Sequence, residues 1–188
     1  MRFLLWTVPA TTAILAGLVH GIFFIDDAYI TFRYAENLAS GHGLVFNAGE
    51  PVLGTTTPLF AALLALLKMV GVAIPTAAGW LGLLSMAGVV LLLQTLAARS
   101  VSLPVAAAMA LCVALHPDAA YMATSGMETA PSLALVLGGL LLSLQGRWFV
   151  AGGIGAAALL MRPDGVLVVA LVIGLALMRD PKNVWQPL

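Results

Sequence analysis

Charge is what this chain has least of. Only 9% of its 188 residues are Asp, Glu, Lys or Arg, eight acids balance eight bases, and no basic patch with interleaved aromatics occurs. Nucleic acid is thereby excluded as a partner. Extended polar tracts are few and short segments of alternating polarity are absent, which argues against an ordinary soluble domain and against a transmembrane β-barrel. The single cysteine, Cys112, precludes an internal disulfide and reads as a small buried hydrophobe. No repeat or low-complexity tract is present.

What fills the chain instead is hydrophobic residues, 62% of the total, at a mean hydropathy of +1.07. The runs are continuous and rich in Leu, Ala and Gly, the pattern of a polytopic all-α membrane protein forming a single transmembrane domain over residues 1–188. The first run, 4–25, is long enough at about 22 residues to cross a bilayer core and reads as a retained anchor. Further apolar segments cover 59–70, 77–98, 103–115, 129–144, 148–161 and 166–178. Several fall short of the ~20 residues of a full span, so their helices are expected to extend into flanking polar residues. Gly138-Gly139 and Gly152-Gly153 suit close helix contact, and Trp6, Trp80, Trp148 and Trp185 suit the membrane interface.

Three polar islands interrupt these runs. The first, 25–58, reads IDDAYITFRYAENLASGHGLVFNAGEPVLGTTTP and holds four of the eight acids. The second is HPDAAYMATSGMET, residues 116–129, and the third is MRPDG, residues 161–165. Whether they share a side of the membrane depends on whether 59–70 crosses it. If that segment lies in the interface, Arg2, Arg99, Arg147, Arg179 and Lys182 are all cytoplasmic, as the positive-inside rule favours. All the acids except Asp180 then collect outside, together with Arg33, Lys68 and Arg162. The expected topology is therefore about six crossings plus a juxtamembrane or re-entrant helix over 59–71. Residues 25–58 become the first extracytoplasmic loop, and it contains an interfacial helix.

Within this arrangement Asp26 and Asp27 close the first hydrophobic run. A partly buried carboxylate at the membrane edge suits proton acceptance from an alcohol, and neighbouring helical positions point about 100° apart, so the two can divide their roles. The alternative is that they merely end the helix. Arg33 suits a lipid phosphate through its planar fork of donors, or a pairing with Glu36 or Asp27. His42, between two glycines, is either a ligand or proton shuttle or only a loop residue. Glu128 opens an apolar helix and either serves that helix N-terminus or holds a divalent cation together with the aspartates. Arg162 breaks the inward bias of the bases and reads as an anion site, and the Pro-Asp-Gly after it, including Asp164, as a turn.

Taken together, the motif DDAYITFRYAENLASGHGLVFNAGEPVLGTTTPL behind a first membrane helix, SGMET opening a later helix, and LLMRPDG beyond it resemble the bacterial GT-C membrane glycosyltransferases. In motif terms the similarity is greatest to the terminal arabinofuranosyltransferase subgroup. The resemblance covers roughly residues 1–180. It implies sugar transfer, pentosyl or hexosyl, from a polyprenyl-phosphate donor to an extracytoplasmic glycan, lipid or protein acceptor with inversion. Asp26 or Asp27 would be the base, with the first acid after the helix the usual family position. The leaving phosphate would be met by Arg162, Arg33 or a divalent cation, Mg or Mn, held partly by Glu128. It also implies a bacterial inner-membrane location with the site facing outward. Family members are longer, so a further C-terminal region or a partner subunit is expected. The competing expectations are a non-catalytic lipid-phosphate-binding or transport subunit, and an inactive fragment.

Overall fold

The structure, a computed structural model, describes residues 2–50, 52 and 54–179. Trp185 and Lys182 lie outside them. Among the described residues the fold is all helical: α1 (Arg2–His20), α2 (Asp26–Ala39), α3 (Pro58–Met69), α4 (Ile74–Ala97), α5 (Leu103–Ala114), α6 (Pro117–Thr124), α7 (Thr129–Leu144), α8 (Trp148–Met161), a 3-10 turn (Pro163–Gly165) and α9 (Val166–Arg179). Proline in the first turn marks the start of α3, α4, α5 and α6, where its missing N–H costs nothing.

Two helices, α1 from Phe3 and α4, are long and apolar enough to cross a membrane, and α5 with α6 makes a third candidate if that pair, bent by 62°, is one span. The other apolar helices are shorter. Large apolar side chains such as Phe3, Val19, Phe149, Leu167 and Met178 stand exposed on several helices, as expected of a lipid-facing surface.

At the centre, α4 touches α1, α3, α5, α6 and α7. It runs antiparallel to α1: Gln94 reaches Leu5, Gly17 faces Leu83, and Gly79 faces Ile22. The same antiparallel order relates α7 to α8 and α8 to α9, since Gly139 faces Ile154 and Gly155 faces Val169. One end of the bundle therefore gathers the end of α1, the starts of α2, α4 and α7, and the end of α8. α6 ends there too, its Thr124 accepting the backbone N–H of Phe23 at 3.2 Å.

Pro9 lies inside α1 and is fully buried. Having no N–H, it leaves the Leu5 carbonyl without its helical donor, and Gln94 supplies one from α4, Nε2 to Leu5 O at 2.8 Å. A side-chain amide thus repairs the neighbouring helix.

Three expectations change here. The first apolar run is not one helix to residue 25, because α1 stops at His20, Gly21 takes a positive φ of 87°, and 22–25 is non-helical. Asp26 and Asp27 consequently open α2 rather than close α1, which puts two carboxylates at the positive end of a helix dipole. The break expected over 116–128 contains a helix of its own, α6, capped by His116 Nδ1 accepting the Asp118 N–H at 3.2 Å. Of the paired glycines, only Gly139 is held close to neighbouring helices, while an added Cβ at Gly138, Gly152 or Gly153 would meet open space.

Candidate functional site

Three distant pieces of chain meet at the acid-rich end, and the apolar residues beside the charges explain how. Ala28 and Phe32 of α2, Phe60 and Leu64 of α3, Ile74 and Ala78 of α4, and Met161 at the end of α8 form one buried cluster, against which Met127 also packs. Met127 precedes Glu128 and Met161 precedes Arg162, so the cluster anchors both charged residues next to α2. The segment before α2 is tied directly to the second island, with the Ile25 N–H donated to the Ser125 carbonyl at 3.3 Å. Gly126 has a φ of 78° and lies flat against Phe24 and Ala28, a position where a side chain would collide with the Phe24 ring.

Glu128 is buried, 3% exposed. Its side chain does not cap α7; it turns to Arg162, whose Nη1 lies 3.5 Å from Oε1. The second oxygen, Oε2, is buried with no hydrogen-bond partner. Arg162 is one-third exposed and also donates from Nε to Asp164 Oδ1 at 3.2 Å. Glu128 sits in the connection before α7, outside the helices, and burial pushes its carboxyl above the usual glutamate value. Its own backbone amide and Arg162 oppose that rise, while Asp164 and Asp27 add to it. Asp27, Glu128, Arg162 and Asp164 thus form one electrostatic unit.

The two aspartates differ from expectation, since both are exposed and the buried acid of the site is Glu128. Asp27 is the one whose charge is felt at Glu128, which leaves Asp26, on the face shared with Ile30 and Arg33, turned outward. Arg33 pairs with neither Glu36 nor Asp27: its Nε donates to the Phe46 carbonyl at 3.1 Å, pinning the loop that follows α2. Asn37 joins it, with Nδ2 on the carbonyls of Val45 and Phe46 at 2.9 and 2.7 Å. Tyr34 completes the fastening, donating to Val52 O and accepting from Gly54 N. Glu36 instead pairs with Lys68 of α3. His42 is exposed just past the C-terminal end of α2, roughly 20 Å along the helix axis from Asp26.

A metal was the other expectation for Glu128. Among the described residues no three His, Cys, Asp or Glu side chains come together as a ligand set, and the first oxygen of Glu128 already faces a guanidinium. A carboxylate already shared with a guanidinium does not fit a divalent cation.

Sequence reasoning passed over the residues that join the islands: Ser125 and Gly126, and Thr124, whose hydroxyl donates to Ala120 O at 2.8 Å and lies 3.1 Å from His20 Nδ1. The Ser-Gly pair was a visible turn signal, but its partner on the far side of α1 was not. Also missed was a chain of buried hydroxyls, Thr31 to Thr57 to Thr55, that closes the first loop onto α2.

Fold and site together define an all-helical, membrane-associated protein with a partly buried carboxylate–guanidinium cluster at one end of its bundle. No protein-family model, curated protein or solved structure matches the chain.

Proposed function

We propose that this chain is the membrane module of a GT-C type glycosyltransferase, moving a sugar from a polyprenyl-phosphate donor to an extracytoplasmic acceptor with inversion. The observation that carries the reading is the meeting of Asp27, Glu128, Arg162 and Asp164 from three separate polar islands around a partly exposed guanidinium. Such a site has an acid pair at its edge for a proton and a cation within it for a phosphate.

In this reading the acceptor hydroxyl oxygen attacks the anomeric carbon from the face opposite the phosphate. The bond from that carbon to the phosphate oxygen breaks, its electron pair leaves on the lipid phosphate, and the hydroxyl proton passes to an aspartate carboxylate. Asp26, turned outward, is the base, and Asp27, facing the cluster, holds the field around Arg162 and Glu128. Arg162 meets the charge that develops on the leaving phosphate. The open groove of 480 Å³ beside α1, lined by Leu15, Ala16, Val19 and Leu115 and ending at His20 and His116, suits a lipid tail.

We take α1, α4, α5 with α6, α7, α8 and α9 as six crossings of the bacterial inner membrane, with α3 at its outer surface. The antiparallel order of α1 and α4 supports this, because the chain then enters α4 from the side on which it left α1. A Met127→Cys variant in a Cys112→Ala background is expected to react with an impermeant thiol reagent added outside intact cells. Labelling only after permeabilisation would reverse the topology.

The deciding assay is sugar transfer from a polyprenyl-phosphate donor in membranes carrying the chain. Asp26→Asn is expected to lower the rate about 10²-fold or more and Asp27→Asn less. Equal rates in wild type and both variants would remove the aspartates from the reaction, and phosphate-lipid binding without transfer would favour a non-catalytic lipid-phosphate subunit.

A further inference from the structure

Arg162 does not wait for an anion with its charge free. Its guanidinium is divided between Glu128, at 3.5 Å, and Asp164, at 3.2 Å, and Asp27 of α2 adds a third negative charge felt at Glu128. These are the charged groups acting on Glu128, and neither α4 nor α7 carries a charge of its own. One cation facing three carboxylates leaves a net negative site, which repels a second anion. Asp164 is exposed and can turn to solvent, but Glu128 is 3% exposed and cannot. A buried carboxylate deprived of its counter-charge is costly, so it takes up a proton instead.

We infer, resting on the proposed function above, that Arg162 accepts a phosphodiester anion only together with a proton on Glu128. The unpartnered Oε2 gives that proton a place. Once protonated, Glu128 no longer competes for the guanidinium, whose one-third-exposed face is then free to meet the phosphate oxygens. Burial, Asp164 and Asp27 all raise the Glu128 carboxyl above its usual value, against the opposing pull of its own backbone amide and Arg162. The ligand class is a monoanionic phosphodiester, whether carried on a lipid or free, and each one bound takes up one proton.

The test measures affinity of the purified 188-residue chain for dodecyl methyl phosphate and for dimethyl phosphate, phosphodiester monoanions whose own ionisation is constant between about pH 5 and 8. Wild-type affinity for the dodecyl ester is expected to fall as pH rises through the Glu128 titration, approaching tenfold per pH unit, the limit for one linked proton. Glu128→Gln, permanently neutral, is expected to bind at every pH as tightly as wild type does at low pH, with a flat profile. Asp164→Asn is expected to keep the slope but move it to lower pH, which separates proton linkage from misfolding. Weaker binding of dimethyl phosphate with the same slope identifies a lipid-borne phosphate as the ligand, and equal binding a free phosphodiester; both retain the linkage. Wild-type binding that ignores pH, or a Glu128→Gln protein that folds but no longer binds, overturns this inference and leaves the proposed function standing. No binding by wild type at any pH overturns both.

Discussion

Among the described residues, two buried side chains each keep one oxygen without a partner, and they sit at opposite ends of the bundle. Gln94, fully buried near the end of α4, spends its amide on the Leu5 carbonyl that Pro9 leaves bare. Glu128, almost as deeply buried at the start of α7, spends one oxygen on Arg162 and is surrounded by further charge. Gln94 is neutral, meets one backbone carbonyl, and has a structural debt of known origin. Glu128 is ionisable, faces a guanidinium that also reaches solvent, and has no local backbone defect to repair. Burial of a polar group is thus not itself a sign of function; what separates the two is whether the partner is a fixed carbonyl or a charge that can exchange partners.

The contrast is open to direct attack. Arg162→Met leaves Glu128 buried without its counter-charge and is expected to lower stability by about 1–3 kcal/mol, less than for a fully enclosed pair because the guanidinium is one-third exposed. Adding Glu128→Gln to that variant is expected to restore most of the loss in thermal unfolding. A double variant no more stable than Arg162→Met would mean that the pair is not coupled.

Next in size is Gln94→Leu, which strands the Leu5 carbonyl and is expected to cost roughly 1 kcal/mol. In a Pro9→Ala background α1 regains its own donor, so the same substitution should become nearly neutral. An equal cost in both backgrounds would break the link between Gln94 and Pro9. Sugar transfer and phosphodiester binding should be unchanged by Gln94→Leu, whereas Arg162→Met should abolish both.

The smallest expected effect is on stability as a function of pH. Because the folded-state carboxyl of Glu128 is raised, the folded chain holds a proton where the unfolded chain has released it. The contribution of this group is therefore most favourable below the ordinary glutamate value of 4.5 and declines as pH climbs from there to the raised value. Denaturation midpoints across that window should fall with pH in wild type and lose this component in Glu128→Gln. Gln94→Leu should leave the slope intact.

Much of the outline was legible in residue order. Continuous apolar runs, prolines at helix starts and the irregular GHG and NAG stretches marked helices and loops to within a few positions. The amphipathic pattern of 26–39 was readable because its apolar residues recur at helical spacing. What was not readable came from chain reversals. A glycine at 21 inside an apolar run carries no sign that it ends the helix, so two aspartates that open α2 looked like the end of α1. Likewise, α6 is eight residues and too polar for its helix to show as an apolar run.

The sequence alone determined that this chain is helical, apolar and poor in charge, and that its few charges fall into three islands, because composition and periodicity are properties of neighbours along the chain. It did not determine which of those charges would touch. Glu128 and Arg162 are separated by two helices, and only the antiparallel return of α8 along α7, with Met127 and Met161 packed in the same cluster as α2, brings them together. That packing also decided which carboxylate is buried, and so where a proton is most readily held, because burial depends on what the rest of the fold lays over a residue.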